Sequence, residues 1–280
     1  MTQPSTADLA PHLDDGHAKT AAPSMNWSDH AALKPIRGVG GFFGLALDVL
    51  VATVKLPFAA REMLEQTWFL ARVSLMPTLL LSIPFVVMSV FIFNVLLVEF
   101  GAADNSGTGA AVSAVNQIGP FVTVLVVAGA GASAVCADLG ARTIREEIDA
   151  MKVMGIDPVR ALLVPRVLAT TLVSLLLSSL VTLVGLVGGF FFSVFIQNVT
   201  PGSFVASMTL ITGVSDVVIS MVKAMLFGLA AGLVACYKGT HVGGGPAGVG
   251  NAVNETVVFS FVLLFMINLV VTAIGFEVTK

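Results

Sequence analysis

Arg145-Glu-Glu-Ile-Asp-Ala-Met-Lys-Val-Met-Gly-Ile-Asp-Pro-Val-Arg160, running on to Val164-Pro-Arg166, is a charge-dense stretch set between two long apolar blocks. On a helix spanning 142–155, Arg142, Arg145, Glu146, Asp149 and Lys152 share one face, while Ile144, Ile148, Met151 and Met154 share the other. Arg142 precedes Glu146, and Arg145 precedes Asp149, by the four residues at which helical side chains meet. Gly155 suits a left-handed residue that ends this helix. Asp157-Pro158 then reads as an N-cap followed by proline at the first position of a new helix. The stretch is either a solvated connector or a docking element for a soluble partner.

The surrounding composition sets the solvent. The chain has 280 residues, 56% hydrophobic and 11% charged, with net charge −3. Several apolar blocks exceed the roughly 20 residues that cross a bilayer, and they are continuous rather than alternating. This predicts an all-α polytopic membrane protein. Eleven of the fourteen basic residues precede Val73 or fall within 142–166, which places both regions in the cytoplasm by the positive-inside rule. No basic stripe suggests nucleic-acid binding. Cys136 and Cys236 lack metal-ligand neighbours, so a metal site is not expected; they read as small buried hydrophobes.

Residues 1–25 are polar, contain prolines and lack a signal-peptide pattern, predicting a disordered cytoplasmic tail ahead of a membrane domain at 26–280. The apolar stretch 36–58 is long enough to span. Asp48 near the bilayer centre would cost about 2.5–3.5 kcal/mol, so an interfacial helix is the better reading. The first span is expected at about 74–98, with Pro77 and Pro84 inside it as a cavity-shaping kink or a packing bend. An external loop follows over 99–117. The second span covers about 118–139, where Gly129 and Gly131 permit close helix approach. Gly129-x-Gly131-x-x-Ala134 lacks the preceding strand that a dinucleotide site needs.

Residues 159–198 read as one long helix or as a span plus an external helix, with Gly185 and Gly189 as a packing pair. A short external segment follows at 204–216. The fourth span, about 217–237, carries Gly228 and Gly232 as another packing face. A glycine-rich cytoplasmic loop is expected over 238–250, and the last span over about 256–274. Asn268 inside that span reads as an interhelical hydrogen-bonding residue ahead of a substrate-binding one. Five spans put the N-terminus inside and the C-terminus outside.

The run Glu146-Glu-Ile-Asp-Ala-Met-Lys-Val-Met-Gly-Ile-Asp-Pro158, followed by Val164-Pro-Arg-Val-Leu-Ala169, resembles the signature of the MlaE/YrbE permease family. These are membrane subunits of lipid-transporting ABC systems that work with MCE proteins. Gly140-Ala-Arg-Thr-Ile-Arg-Glu-Glu-Ile-Asp-Ala-Met151, with the long polar N-terminal extension, is similar to the actinobacterial YrbE branch, A-type. The resemblance implies a plasma-membrane (cell inner membrane) permease paired with a second YrbE-type chain, docked on cytoplasmic ABC ATPases and facing external MCE proteins. ATP and Mg would be bound by the ATPase and no cofactor by this chain, which carries no nucleotide motif of its own. It is thus expected to be a non-catalytic subunit.

In that frame the helix at 142–155 resembles a coupling helix. Glu146, Glu147, Asp149 and Arg160 would make polar contacts with the ATPase. Ile148 and Met151 would anchor the helix or fill the ATPase cleft, and the turn at Gly155, Asp157 and Pro158 would pass motion to the spans. The interior reads as apolar throughout, which suits a lipid: a fatty acid, a phospholipid or a sterol-like molecule. Leu81, Phe85, Met88 and Ile92 on the first span are the candidates for a lipid pocket between the paired permeases, against ordinary packing or lipid-facing surface. The rivals are a scaffold anchoring external proteins and an ion-coupled secondary transporter.

Overall fold

The computed structural model describes residues 34–54, 60–102, 105–211 and 213–278; the expected polar tail at 1–25 lies outside these. The described chain is helical: α1 (Lys34–Val54), α2 (Ala60–Glu99), α3 (Ser106–Ile144), α4 (Glu147–Val153), α5 (Val159–Phe195), α6 (Pro201–Ile211), α7 (Val214–Thr240) and α8 (Gly245–Val278). Helices α2, α3, α5, α7 and α8 contain segments long and apolar enough to cross a membrane. Residues 41–280 form one compact unit, and Met1–Gly40 group separately.

Two expected loops are mostly helix. The external loop at 99–117 is largely the start of α3, which begins at Ser106. Its Ser, Thr and Asn residues look like loop composition, yet they pack between other helices. Gly107 lies so close to the Phe204 carbonyl of α6 that a Cβ would collide with it. Thr108 Oγ1 donates to the Ser207 carbonyl at 2.6 Å. The glycine-rich loop at 238–250 shrinks likewise: α7 runs to Thr240 and α8 starts at Gly245. Pro246 falls in the first turn of α8, where its missing N–H costs no intrahelical bond.

Residues 159–195 are one continuous helix. Two prolines inside the long helices, Pro120 and Pro165, follow widened turns. In α3 the Gly119 N–H reaches the Ala114 carbonyl, five residues back, just before Pro120. In α5 the Val164 N–H reaches Val159 just before Pro165. A π-type turn is a known way to accommodate an irregularity that an α-helical ladder cannot. Helix α2 continues through both Pro77 and Pro84.

The interior is mostly apolar but not apolar throughout as its composition suggested: serine and threonine are mixed among its alanines, valines and leucines. The buried residues of α2 recur every fourth position: Leu70, Ser74, Thr78, Ser82, Val86, Val90 and Asn94. Gly185 and Gly189 of α5 meet this stripe and α3: a Cβ on Gly185 would stand 2.6 Å from Ala114 Cβ, and one on Gly189 2.9 Å from Ala110 Cβ. A Cβ on Gly228 would stand 2.5 Å from the Thr170 carbonyl, and one on Gly232 would collide with Thr170 Oγ1. Those four glycines bring backbones together. Gly129 does not, having nothing within 4 Å of its Cβ position, and Gly131 meets only Ser74 Oγ at 3.8 Å. Many large apolar side chains, among them Met76, Leu80, Phe91, Val262 and Leu269, point outward, while Phe227, Leu70, Leu139 and Leu264 are buried. Lipid tails are as apolar as leucine, so burying leucine gains little here, and close backbone approach decides the packing instead.

From Gly41 onward, helix α1 lies along the end of the bundle that carries α4. Gly41 approaches the Tyr237 hydroxyl, and Phe42 meets the Tyr237 ring edge-on at 5.8 Å. Ala46 and Val49 are buried against the bundle while Asp48 is exposed. The outward side also carries Phe43, Leu47, Val51 and Val54, and the apolar segment of α1 is shorter than those of the five long helices.

Candidate functional site

The helix expected at 142–155 is two pieces. Helix α3 ends at Ile144, the chain turns through Arg145, and Glu146 adopts a left-handed backbone at φ 59° before α4 begins. The apolar face drawn across that break is therefore divided. Ile148 is buried and Met151 packs on the core. Met154 is 66% exposed and Val153 89%, giving α4 an apolar tip outside the bundle. Ile144 and Ile156 are exposed as well.

The far end of α4 follows its sequence closely. Gly155 is left-handed at φ 77°. Its N–H donates to the Lys152 carbonyl at 3.0 Å, and the Ile156 N–H donates to Met151 at 2.9 Å. This double closure satisfies carbonyls that a helix end leaves open. Asp157 then caps α5, its Oδ1 accepting the Val159 N–H at 3.0 Å. Pro158 follows at the first helical position. Arg160 pairs with Asp157 at 3.5 Å, and Asp149 with Lys152 at 2.8 Å, both on the surface.

Glu147 is not a free surface acid. Its carboxylate faces Arg145 at 3.1 Å and Arg142 at 3.7 Å. At the N-terminal end of α4 its charge also suits the helix dipole. Arg142 reaches back to Asp138 at 3.4 Å, and Asp138 is bound at 2.5 Å by Arg166, whose side chain is wholly buried. Glu146 makes no ion pair or hydrogen bond with its side chain among the described residues. Asp138 and Arg166 escaped the sequence reading as a pair because 28 residues separate them. The signal was there in a charge on an apolar segment four residues from Arg142.

Behind α4, the ends of α3, α7 and α8 interlock. Thr143 Oγ1 donates to the Gly239 carbonyl at 2.9 Å, and Lys238 pairs with Glu255 at 2.5 Å while lying over the Phe259 ring. Cys136 and Cys236 are buried free thiols.

The lipid-pocket candidates do not enclose a pocket. Leu81 packs partly on the core, but Phe85, Met88 and Ile92 face outward, at 41%, 66% and 55% exposure. Phe85 belongs to an aromatic row through Phe121 to Phe265, at 5.8 and 5.9 Å, joining α2, α3 and α8 on the surface. A cavity of about 530 Å³ lies elsewhere, between α3, α5, α6 and α7, lined in part by Ala111, Ser178, Thr182, Leu186, Met208 and Ser220. Asn268 Oδ1 is buried without a hydrogen-bond partner among the described residues, so the expected interhelical bond through that oxygen is missing.

Comparison with known proteins places this architecture. A Rickettsia typhi protein named as a probable ABC transporter permease is 28% identical over 205 residues, covering 70% of this chain and 79% of that protein. The intermembrane phospholipid transport system permease protein MlaE of Haemophilus influenzae is 30% identical over 183 residues, covering 65% of this chain and 70% of its own. The chloroplastic protein trigalactosyldiacylglycerol 1 of Arabidopsis thaliana is 30% identical over 161 residues, covering 58% of this chain and 46% of its own. Residues 63–274, from the first turn of α2 to the last turns of α8, match the family described as Permease MlaE, and the chain belongs to that family.

Proposed function

We propose that this chain is the permease subunit of an ATP-driven lipid transporter, with α4 as the element on which a cytoplasmic ATPase docks. The observation that carries this is the construction of α4. It is a short helix, capped at its far end, fastened by Glu147 at its near end, and tipped by the exposed Val153 and Met154. A solvated connector has no use for two apolar side chains held out of the bundle on a fixed helix; a cleft in a soluble partner does. The names of the Rickettsia and Haemophilus relatives support the transporter class, and the Haemophilus name supports a phospholipid as cargo.

In this reading the α4 end is cytoplasmic and the α6 end external. ATP and Mg²⁺ are bound by the partner ATPase. A second YrbE-type permease pairs with this one, and MCE proteins receive or deliver lipid outside. The lipid-contacting residues are Phe85, Met88 and Ile92, on the outer surface of α2, as one wall of a pocket between the two permeases.

The test is purification in mild detergent from native membranes, scored for a co-eluting ATPase, in wild type and in Val153→Glu/Met154→Glu. Both substitutions fall on exposed positions, so the fold is expected to survive. ATPase bound to wild type and lost from the variant supports the docking role. ATPase retained equally by both refutes it.

A further inference from the structure

The deepest charge near α4 is Arg166, with no exposed side-chain surface. Its Nη2 meets Asp138 Oδ2 of α3 at 2.5 Å, its Nη1 donates to the Leu162 carbonyl at 3.0 Å, and its Nε has no partner. Asp138 is 31% exposed, so the pair is buried on the arginine side only, where it leaves an unsatisfied N–H that apolar side chains of similar volume would not. The pair therefore calls for a role other than stability. The neighbouring charges supply one. From Arg166 the signs alternate outward through Asp138, Arg142 and Glu147 to Arg145, from the dry interior to the first residues of α4. Among the described residues the other ion pairs stay within one helix or its adjoining turn, except Lys238–Glu255 between α7 and α8. The pair of Asp138 and Arg166 is the charged tie between α3 and α5.

The tie matters because of the joints on either side of α4. One is the non-helical break at Arg145–Glu146 and the other is the turn through Gly155–Pro158. Helix α4 is thus hung between α3 and α5 by two short joints. A force on it moves the two spans together only if they are fixed to one another close to those joints. Asp138 stands within two turns of the first joint, and Arg166 within about three turns of the second.

Resting on the docking role of α4, we propose that Asp138 and Arg166 are positioning residues that lock α3 to α5, so that displacement of α4 by the ATPase drives both spans as one body. Without the lock, the ATPase still binds and hydrolyses ATP, but its stroke is lost at the joints.

The test uses the whole transporter, with its ATPase and second permease, reconstituted in phospholipid vesicles carrying a fluorescent phospholipid. Three quantities are read: ATPase co-elution, ATP hydrolysis, and lipid moved per ATP. The informative variant is Asp138→Leu/Arg166→Met, which removes both charges and leaves neither unpaired. Co-elution and hydrolysis are expected to persist, while lipid moved per ATP falls about tenfold, the scale on which couplings respond to such changes. Arg166→Lys, which keeps the charge but lacks the fork that serves Asp138 and Leu162 at once, is expected to lower the same ratio. Asp138→Glu is expected to retain most of it. A wild-type ratio in either the double variant or Arg166→Lys overturns the proposal, because the pair is then only structural. Failure of the ATPase to co-elute with wild type overturns the docking role itself, and this proposal with it. That failure is distinguishable because it precedes any substitution.

Discussion

Helix α4 is bounded by two left-handed residues of opposite suitability, and exchanging their chemistry gives a two-sided test of how its turns are built. Glu146 sits at φ 59° and Gly155 at φ 77°. For a residue with a Cβ the left-handed region costs about 1–2 kcal/mol. Gly155→Ala imposes that cost, offset by about 0.4–1 kcal/mol from the stiffer unfolded chain, for a net loss of up to about 1.5 kcal/mol. Its Cβ would meet nothing within 4 Å, so no steric term is added. Glu146→Gly relieves the same cost and gives back the same entropy, a net gain of up to about 1.5 kcal/mol. No side-chain contact of Glu146 within the described chain is lost. Glu146→Ala keeps the strain and removes the carboxylate, so it serves as the control. For a chain of this size each kcal/mol moves the melting temperature by about 2–4 °C. The assay is thermal unfolding in detergent, followed with a thiol-reactive fluorophore that finds Cys136 and Cys236 only when the bundle opens, since both are buried. The expected order is Glu146→Gly highest, then wild type and Glu146→Ala together, then Gly155→Ala. Equal melting of Glu146→Gly and Glu146→Ala would refute the strain argument.

The same assay separates the glycines that bring helices together from those that do not. Gly228→Ala places a Cβ 2.5 Å from the Thr170 carbonyl and should destabilise by about 1–3 kcal/mol, whereas Gly129→Ala, helical and with open space around it, should stabilise by about 0.4–1 kcal/mol through the stiffer unfolded chain. Asp157→Ala removes the cap on the Val159 N–H and should cost about 1 kcal/mol, with the exposed Arg160 pairing adding little. Asn268→Leu removes a buried oxygen with no partner and should stabilise the isolated chain by about 1 kcal/mol; a clear loss of stability would refute the reading of Asn268 as unsatisfied.

Local signals in the sequence were legible wherever the chain answers to its neighbours along the backbone. The Gly155 closure and the Asp157-Pro158 cap have the geometry their residue types predict, because a left-handed turn and an N-cap are decided by a few adjacent residues. The break at Arg145–Glu146 was not legible, since Glu146 has no turn-forming character of its own. The starts of α3 and α8 were hidden by composition: Ser106-Gly-Thr-Gly-Ala reads as a loop until α6 is packed against it. The Asp138–Arg166 pair and the Thr143–Gly239 bond depend on which helices become neighbours, and periodicity within one helix says nothing about that.

Phe85, Met88 and Ile92 lie on the outside of this chain, where a pocket between paired permeases would have its wall, and the packing of the bundle bears on the same transport path. Large apolar side chains mark the core of a soluble protein. In a bilayer they are found on the surface as well, and along α2 the face that meets other helices is largely small and hydroxylated. Thr78, Ser113 and Thr123 satisfy their hydroxyls on carbonyls of their own helices, at 2.6, 2.6 and 2.7 Å, which lets them sit between helices without a polar partner across the gap. Around Gly185, Gly189, Gly228 and Gly232 the neighbouring atoms leave no room for a single methyl group. A phospholipid with two acyl chains cannot thread that centre without dismantling it. Under the proposed function its route therefore runs along the outside of the bundle, over surfaces such as the row of Phe85, Phe121 and Phe265, and the second permease supplies the opposite wall. A lipid cross-linker placed at Met88 should then label strongly. The same cross-linker at Ser82, one of the buried positions of α2, should label only if the route passes through the chain itself.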